Sequence, residues 1–388
     1  MKRILLIVIL LGLFDYGAAY NAPETEDFEG PYATALDNFH PTAPDAGIAG
    51  FTGPNGRGVC PAGENDDQSS GDDPNNIINP VFSGWASHVV SYEPFNLAAI
   101  QNYLGGIFSL PEKSLGPVTG DNFDIVSLGD MDVTDIADGN SPGMITLAFD
   151  EPIQNGPGPD FAVFENGFVS AGGAGVYGQI FAELAYVEVS TDGIHFVRFP
   201  CVSLTEGDVG SYGTIDPTQV YNLAGKHVNA YEESWGTPFN LKDITADPDV
   251  INGTVDPNEI NYVRIVDIPG NGYFQDTATD LIDPATIDPN SGLGGTYYTQ
   301  NHGIHDAWVT WGSGGHDLEA IGAIDQIYGD ADSNGKVDFF DFLRIARRWN
   351  RPGNWPQGDF NEDGFVDVMD LILFGQNWLY ECPSRYWN

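Results

Sequence analysis

The chain has 388 residues, enough for one large domain and a small one, and enough to bury a sizeable core. Its 56 Asp and Glu residues against 14 Lys and Arg residues give a formal net charge of −42, so we expect no nucleic-acid partner. With only 3 cysteines (Cys60, Cys201 and Cys382), at most one disulfide can form within the chain, which excludes a disulfide-framework protein.

The first residues have the pattern of an export signal. Met1-Lys2-Arg3 is basic, the stretch from Ile4 to Phe14 is apolar, and small residues follow. This order predicts a secretory signal peptide over residues 1–19, and therefore a secreted, extracellular protein that can associate with the cell surface. The apolar run is too short to span a bilayer, and no later run has that length, so no membrane span is predicted.

Residues 20–78 are rich in Pro, Gly, Asn and Asp and predict an irregular N-terminal segment. From residue 79 to 328, short apolar stretches alternate with turn-forming clusters. Period-2 patterns predict strands at Met144–Phe149, Phe161–Phe164, Ala185–Ser190, Ile194–Phe199, Tyr262–Val266 and Leu318–Ile324. Asp192-Gly193 predicts a two-residue hairpin turn. Many short strands without alternating helices predict a mainly β fold, an antiparallel β-sandwich.

A repeat begins at residue 330. Asp330, Asp341 and Trp349 recur as Asp359, Asp370 and Trp378, each 29 residues later (359 − 330 = 29). Each repeat matches a twelve-residue calcium loop, in which oxygen ligands come from positions 1, 3, 5, 7, 9 and 12. The first loop offers Asp330, Asp332, Asn334, Lys336, Asp338 and Asp341, and the second offers Asp359, Asn361, Asp363, Phe365, Asp367 and Asp370.

The remaining loop positions also suit calcium. Position 7 contributes only its backbone carbonyl, so Lys336 and Phe365 are tolerated there. Position 6 needs a sharp turn and is Gly335 or Gly364. The sequence therefore predicts that residues 329–388 form a small α-helical domain that binds two Ca²⁺ ions, and that calcium binding contributes to its folding.

These two repeats resemble those of dockerins, which are calcium-dependent modules that bind cohesin domains on bacterial scaffolds. The strings GDADSNGKVDFFDFLRIARRW and GDFNEDGFVDVMDLILFGQNW carry the resemblance, with Asp at position 12 and a strand, not a helix, before the first loop. The resemblance implies a cohesin-bearing scaffold as partner. The resemblance places partner recognition at Phe339 and Phe340, where dockerins commonly have a Ser/Thr pair, and at Arg347 and Arg348, which match the dockerin basic pair. The alternative is that these apolar residues pack the two helices together.

The large domain resembles exported bacterial β-proteins described as cell-surface or sorting-signal-bearing proteins. GMITLAFDEPIQNGPGPDFAVFENGF, FAELAYVEVSTDGIHFVRFP and WGSGGHDLEAIGAI carry this resemblance. Its hairpin over residues 186–199 is also similar to that of galactose-binding-like jelly rolls. That fold implies a glycan ligand, for which aromatic residues in loops are candidates. These are Trp85, Trp235, Tyr273, Tyr297, Tyr298, Trp308 and Trp311.

Three sets of residues could instead support catalysis or zinc binding. Ser313, His316 and Asp317 contain the residue types of a hydrolase triad. His302, His305 and Asp306 contain zinc-ligand types. Glu165 and Glu183 could form an acid/base pair that acts on sugars.

Adjacent triad residues rarely adopt the required geometry, so we assign no catalytic residue. We expect a non-catalytic secreted protein with a ligand-binding β-sandwich and a calcium-dependent docking module. The alternatives are a polysaccharide-degrading enzyme that carries a dockerin, and a structural cell-surface component.

Overall fold

In the computed structural model, the described residues are 47–51, 77–170, 172–173, 175–227, 229–230, 234–277, 301–310 and 314–383. The predicted signal peptide and most of the N-terminal segment lie outside them, as do Cys60, Tyr297, Tyr298, Trp311 and Ser313. Within the described residues the fold is mainly β, with antiparallel sheets and few helices, which confirms that part of the prediction.

The strands, numbered in chain order, are β1 Ile48–Ala49, β2 Phe82–Trp85, β3 His88–Glu93, β4 Val126–Ser127, β5 Met144–Ile153, β6 Phe161–Glu165, β7 Phe168–Val169, β8 Ile180–Phe181, β9 Ala185–Ser190, β10 Val197–Arg198, β11 Val202–Ser203, β12 Val220–Tyr221, β13 Trp235–Phe239, β14 Ile260–Asp267, β15 Asn271–Gln275, β16 Gly303–His305, β17 Asp317–Ile324, β18 Arg351–Pro352 and β19 Phe365–Val366. The α-helices are α1 Leu97–Asn102, α2 Val133–Ala137, α3 Pro248–Ile251, α4 Phe339–Arg348 and α5 Val368–Asn377. Short 3₁₀ turns lie at Leu104–Gly106, Pro111–Ser114, Pro217–Gln219, Leu241–Ile244 and Trp355–Gln357.

The β-sheet region, which comprises the described residues up to 324, has two larger antiparallel sheets and the two-stranded sheets β7-β8, β11-β12 and β15-β16. Sheet A has the order β1-β13-β6-β17-β2, with β4 also paired to β17, and sheet B has the order β10-β9-β14-β5-β3. Val163 and Ile321 of sheet A share one apolar core with Leu147, Val187 and Ile265 of sheet B. This shared core is compatible with the predicted β-sandwich.

The central strand β17 is buried along its whole length. Leu318 and Ile321 belong to the core shared with sheet B, whereas Ala320 and Ile324 pack with Phe82 in a second apolar cluster. Because strand side chains point alternately to the two faces, a strand covered on both faces needs an almost continuous apolar sequence. DLEAIGAI meets that requirement after its first residues.

The predicted hairpin after residue 185 exists, but the prediction of a two-residue turn was wrong. Val197 of β10 lies opposite Val189 of β9, so residues 191–196 all belong to the connection. The Asp192 side chain closes this longer turn, because its Oδ1 accepts hydrogen bonds from the backbone N–H groups of Ile194 and His195 at 2.8 and 2.9 Å.

The tail, which we define as residues 329–383, contains α4 and α5. Asp338 and Asp367 cap these helices, and each forms a reciprocal capping box with the aspartate three residues later. No helix lies between β17 and α4 in the described residues 314–338, as the sequence predicted. Phe342 and Phe374 pack in the tail core with ring centroids 6.0 Å apart. Ile327, just before the tail, packs against the same core.

Among the described residues, no helix is both long and apolar enough to cross a membrane. Cys201 is buried and Cys382 is partly buried.

Candidate metal sites

The first tail loop, residues 330–341, wraps its backbone around a buried aspartate at position 1. Asp330 Oδ1 and Oδ2 accept hydrogen bonds from the backbone N–H groups of Asn334 and Gly335 at 3.0 and 2.7 Å. Gly335 has φ 76°, a left-handed conformation that glycine adopts without strain. The predicted turn residue at position 6 therefore lets the chain fold back onto the first ligand.

The last residue of this loop closes it. Asp341 Oδ1 accepts from the backbone N–H of Ala331 at 2.9 Å, and its Oδ2 accepts from that of Asp338 at 2.8 Å. One ligand atom from each of Asp330, Asp332 and Asp341 lies within 4.8 Å of the other two. This is the only such trio of His, Cys, Asp or Glu within the described part of the chain.

The second loop, residues 359–370, repeats this pattern of hydrogen bonds. Asp359 Oδ1 and Oδ2 accept from the backbone N–H groups of Asp363 and Gly364 at 3.2 and 2.8 Å. Asp370 Oδ1 and Oδ2 accept from those of Phe360 and Asp367, both at 2.8 Å. The predicted repeat is therefore a structural repeat, with the same carboxylate-to-backbone contacts in both loops.

The remaining predicted ligands shape the loops. Asn334 and Asp363, both at position 5, accept hydrogen bonds from the backbone N–H groups of Lys336 and Phe365 at 2.7 and 3.0 Å. The second loop is more open, because Asn361 and Asp363 are exposed whereas Asp332 and Asn334 are partly buried. At position 3 the second loop has Asn361 where the first loop has Asp332, so it lacks one carboxylate of the acidic trio.

Each loop raises the pKa of its buried position 1 carboxyl group, and the first loop also raises that of position 12. Burial and the charges of Asp332 and Asp341 raise the pKa of Asp330 well above its ordinary value. Burial, and then the charge of Asp332, raise the pKa of Asp341 to about 8. In the second loop, burial raises the pKa of Asp359 to about 6. The loops thus concentrate negative charge that a cation would neutralise.

Each loop also contacts the β-sheet region through its fourth position, which the sequence did not reveal. The Asn79 side-chain amide donates a hydrogen bond to the Ser333 carbonyl at 2.7 Å. In the second loop, Glu362 accepts a hydrogen bond from the Asn240 amide at 2.8 Å and pairs with Lys242 at 3.1 Å. Ser333 and Glu362 have φ values of 50° and 55°. The same backbone bend therefore presents both residues to the sheets.

The predicted partner-binding residues lie on the tail helices. Phe339 and Phe340 are 48% and 57% exposed, as are Val368 and Met369 at 53% and 52%. Arg347 is exposed and Arg348 is partly buried. The alternative, that these apolar residues pack the helices together, does not fit their exposure. That role falls to Phe342 and Phe374.

The structure does not bring the predicted zinc ligands together. His302 Nδ1 lies 2.9 Å from Asp276 Oδ2, and His305 Nδ1 lies 3.8 Å from Asp208 Oδ1. Asp306 Oδ2 instead accepts a hydrogen bond from the Leu184 backbone N–H at 2.7 Å. His302, His305 and Asp306 therefore contact three different partners and do not face a common site.

His316 and Asp317 of the predicted triad are both buried, and Ser313 lies outside the described residues. Glu165 and Glu183 are buried as well. They belong to a cluster with Asp130 and Asp267, which no motif had indicated.

Three of the four aromatic candidates among the described residues turn inward. Trp85 is buried in the cluster around Phe82, and Trp308 donates its indole N–H to the Met131 carbonyl at 2.8 Å. Trp235 is partly buried against a core cluster. Of the described candidates Tyr273 is exposed, at 67%. Tyr177 and Tyr212, at 71% and 63%, are exposed tyrosines that the sequence analysis did not select.

Comparison of the chain with protein-family models found no matching family, and comparison with curated proteins found no matching sequence.

Proposed function

We propose that this protein is a secreted, non-catalytic protein whose tail binds two Ca²⁺ ions and docks to a cohesin-bearing scaffold, while its β-sheet region, a jelly-roll-like sandwich, binds glycan. The acidic trio of Asp330, Asp332 and Asp341 is the observation that carries the calcium assignment. The matching hydrogen bonds in the second loop support two sites rather than one.

The donor set suits calcium, which prefers six to eight oxygen ligands in a flexible cage. Asp330, Asp332, Asn334, Asp338 and Asp341 would hold the first ion together with the Lys336 carbonyl. Asp359, Asn361, Asp363, Asp367 and Asp370 would hold the second together with the Phe365 carbonyl. Bound calcium would offset the excess of negative charge in these loops. The backbone N–H groups that already hold the position 1 and 12 carboxylates keep those ligands oriented.

The orientation of the tail supports docking through its helices. The fourth positions of both loops contact the β-sheet region, whereas Phe339, Phe340, Val368 and Met369 remain exposed on the helices. Burial of such apolar residues is what stabilises a protein interface. A cohesin domain could therefore reach the helices without displacing the loops.

A calcium titration of the exported chain, followed by calorimetry, tests the tail sites. We expect D330A and D359A each to remove one tail site, and the double variant to remove both. At a free calcium concentration one hundred times Kd, loss of a site should cost about 2.7 kcal/mol of stability. D249A, on the short helix α3, is a control outside both loops. Unchanged stoichiometry in the double variant would contradict calcium binding by the tail.

Glycan binding is supported by the exposed rings of Tyr177, Tyr212 and Tyr273. A glycan array distinguishes this role from that of a structural surface component. Release of reducing sugar from acidic and neutral polysaccharides would instead favour a degrading enzyme. In that case E165Q and E183Q should each abolish release.

A further inference from the structure

A second group of carboxylates lies where the two sheets end. Glu165 ends β6, Asp267 ends β14 and Asp317 begins β17. Glu165 is opposite Leu318 in the β6–β17 register, so Glu165 and Asp317 lie at the same end of sheet A. Asp130, three residues after β4, joins them because β4 also pairs with β17.

Three of these carboxylates share an uncommon arrangement, in which one oxygen is held and the other is not. Asp130 Oδ2 accepts from the Thr310 backbone N–H at 2.8 Å, Glu165 Oε2 from that of Gly167 at 2.9 Å, and Asp267 Oδ1 from that of His316 at 2.7 Å. The other oxygens, Asp130 Oδ1, Glu165 Oε1 and Asp267 Oδ2, are buried without a hydrogen-bond partner among the described residues. Glu165 and Asp267 are 0% and 1% exposed.

Glu183 adds a further buried carboxylate. The Thr310 hydroxyl lies 2.5 Å from Glu183 Oε1 and 3.2 Å from Asp130 Oδ2. A hydroxyl has one proton to donate, so it cannot satisfy both carboxylates. The charges of Asp317, Glu165 and Asp130 raise the pKa of Glu183 further than burial alone does.

The ion pairs of the described residues do not include this group. No ion pair joins Asp130, Glu165, Glu183 or Asp267 to a Lys, Arg or His side chain within the described residues. The neighbouring His316 is fully buried, and its Nδ1 lies 2.9 Å from the Glu183 carbonyl oxygen rather than from a carboxylate. Backbone N–H donors favour ionised carboxylates, yet burial without a counter-charge disfavours them.

We propose that Asp130, Glu165 and Asp267 hold a divalent cation of the calcium class through these three unpartnered oxygens, with Glu183 and Asp317 completing the negative charge around it. Hard cations of this class take oxygen ligands and tolerate water among them. These oxygens lie further apart than those of the tail trio, whose atoms are all within 4.8 Å of one another. The cation would therefore draw the side chains inward or keep water ligands. It would be independent of the two tail ions.

The competing explanation is that the carboxyl groups share protons and bind no metal. The full chain carrying D330A and D359A, in which both tail loops are disabled, separates the two explanations. After dialysis against chelator, we expect calorimetry with Ca²⁺ alone to show one remaining site and a calcium-dependent rise in Tm. Adding E165Q and D267N should remove both the binding and the rise.

D160N provides a matched control, because both oxygens of the buried Asp160 already accept backbone hydrogen bonds, from Gly156 and Leu241. It should leave calcium stoichiometry unchanged. If the E165Q/D267N combination does not fold, D130N alone replaces it, since Asp130 is only partly buried. D130N should weaken calcium binding at least tenfold. No calcium bound by the D330A/D359A chain, or a site that survives D130N at full affinity, would overturn the assignment.

Discussion

The tail loops and the carboxylate cluster at the sheet ends hold negative charge in different ways. In the first tail loop, both oxygens of Asp330 and Asp341 accept backbone hydrogen bonds from the same short stretch of chain. At the sheet ends, the donors to Asp130 and Asp267 come from residues 310 and 316, far away in the sequence. The loops are thus local structures, whereas the cluster exists only when both sheets are formed.

This difference determines what metal removal should do. A loop whose ligands lie within twelve residues can loosen by itself, because its carboxylates are held by backbone N–H groups of the same loop. The cluster is fixed by the core strands β6, β14 and β17, so loss of a cation there should lower the stability of the whole β-sheet region. Removal of a cation should therefore loosen a single loop in the tail, but lower the stability of the whole β-sheet region when the cation is lost from the cluster.

The largest expected effect is the pH dependence of calcium binding by the tail. Without calcium, the pKa of Asp341 in the folded tail is about 8, so this carboxyl group keeps its proton up to about pH 8. In the unfolded chain its pKa is near the ordinary value of 3.8, so the proton is lost at much lower pH. The stability of the calcium-free tail should therefore fall as pH rises through this range. Calcium needs ionised ligands, so its affinity for the first loop should rise about tenfold per pH unit while one proton is displaced.

The second loop gives a built-in comparison, because burial raises the pKa of Asp359 only to about 6. Its calcium affinity should level off above that pH, while the affinity of the first loop continues to rise. D359A leaves the first loop intact and D330A leaves the second. Calorimetry of each variant in two buffers of different ionisation enthalpy measures the protons that the intact loop releases when it binds calcium. Equal proton release from both loops at pH 7 would contradict this difference.

A smaller effect should follow from separating the tail from the sheets. Asn79 is fully buried, and its amide group donates to the carbonyls of Ala49 and Ser333 at 2.8 and 2.7 Å. N79A should cost about 1–3 kcal/mol of unfolding free energy, because buried carbonyls lose their donor. E362Q weakens only a partly exposed ion pair with Lys242 and should cost less than about 1 kcal/mol.

Urea unfolding of the full chain with calcium measures both changes. N102A is a suitable control, because the exposed Asn102 amide bonds only within its own helix region, to the Ala98 carbonyl at 2.8 Å. If N79A and N102A cost the same, the contact between tail and sheets does not stabilise the protein.

How much could be predicted from the sequence depends on how far apart the partners lie. The proposed loop ligands from Asp330 to Asp341 follow one another in a fixed order, so spacing alone predicts them. Asp130, Glu165 and Asp267 are separated by whole strands, and no spacing rule brings them together. Only the pairing of β17 with β4 and β6, and the contact of Asp267 with the segment before β17, does so.

The fold shows the same division. Alternating apolar residues identified β9, β14 and β17 as strands, but alternation predicts only one buried face, whereas β9 and β17 are buried on both faces. The turn after β9 was mispredicted, since the Asp192 side chain stabilises a longer connection than the Asp-Gly pair suggested. The exposure of Tyr177 and Tyr212 could not be predicted either, because tyrosine is common both in cores and at surfaces.

The last effect concerns binding affinity, not stability: the orientation in which the tail would bind a scaffold under the proposed function. The repeats match closely in their loops but not on their helices, where Arg347 occupies the place of Gln376 (376 − 347 = 29) and both residues are exposed. If a cohesin presents an acidic patch, only the α4 side gains charge complementarity, so binding should favour one orientation.

R347A should weaken binding about five- to tenfold, or roughly 1–1.4 kcal/mol, and flatten its salt dependence. Q376A should change neither, and it is a cleaner control than Asn377, whose amide donates to the Tyr328 carbonyl at 2.8 Å. Surface plasmon resonance against a cohesin module at two salt concentrations compares the variants. Equal losses from R347A and Q376A would mean that both orientations are used.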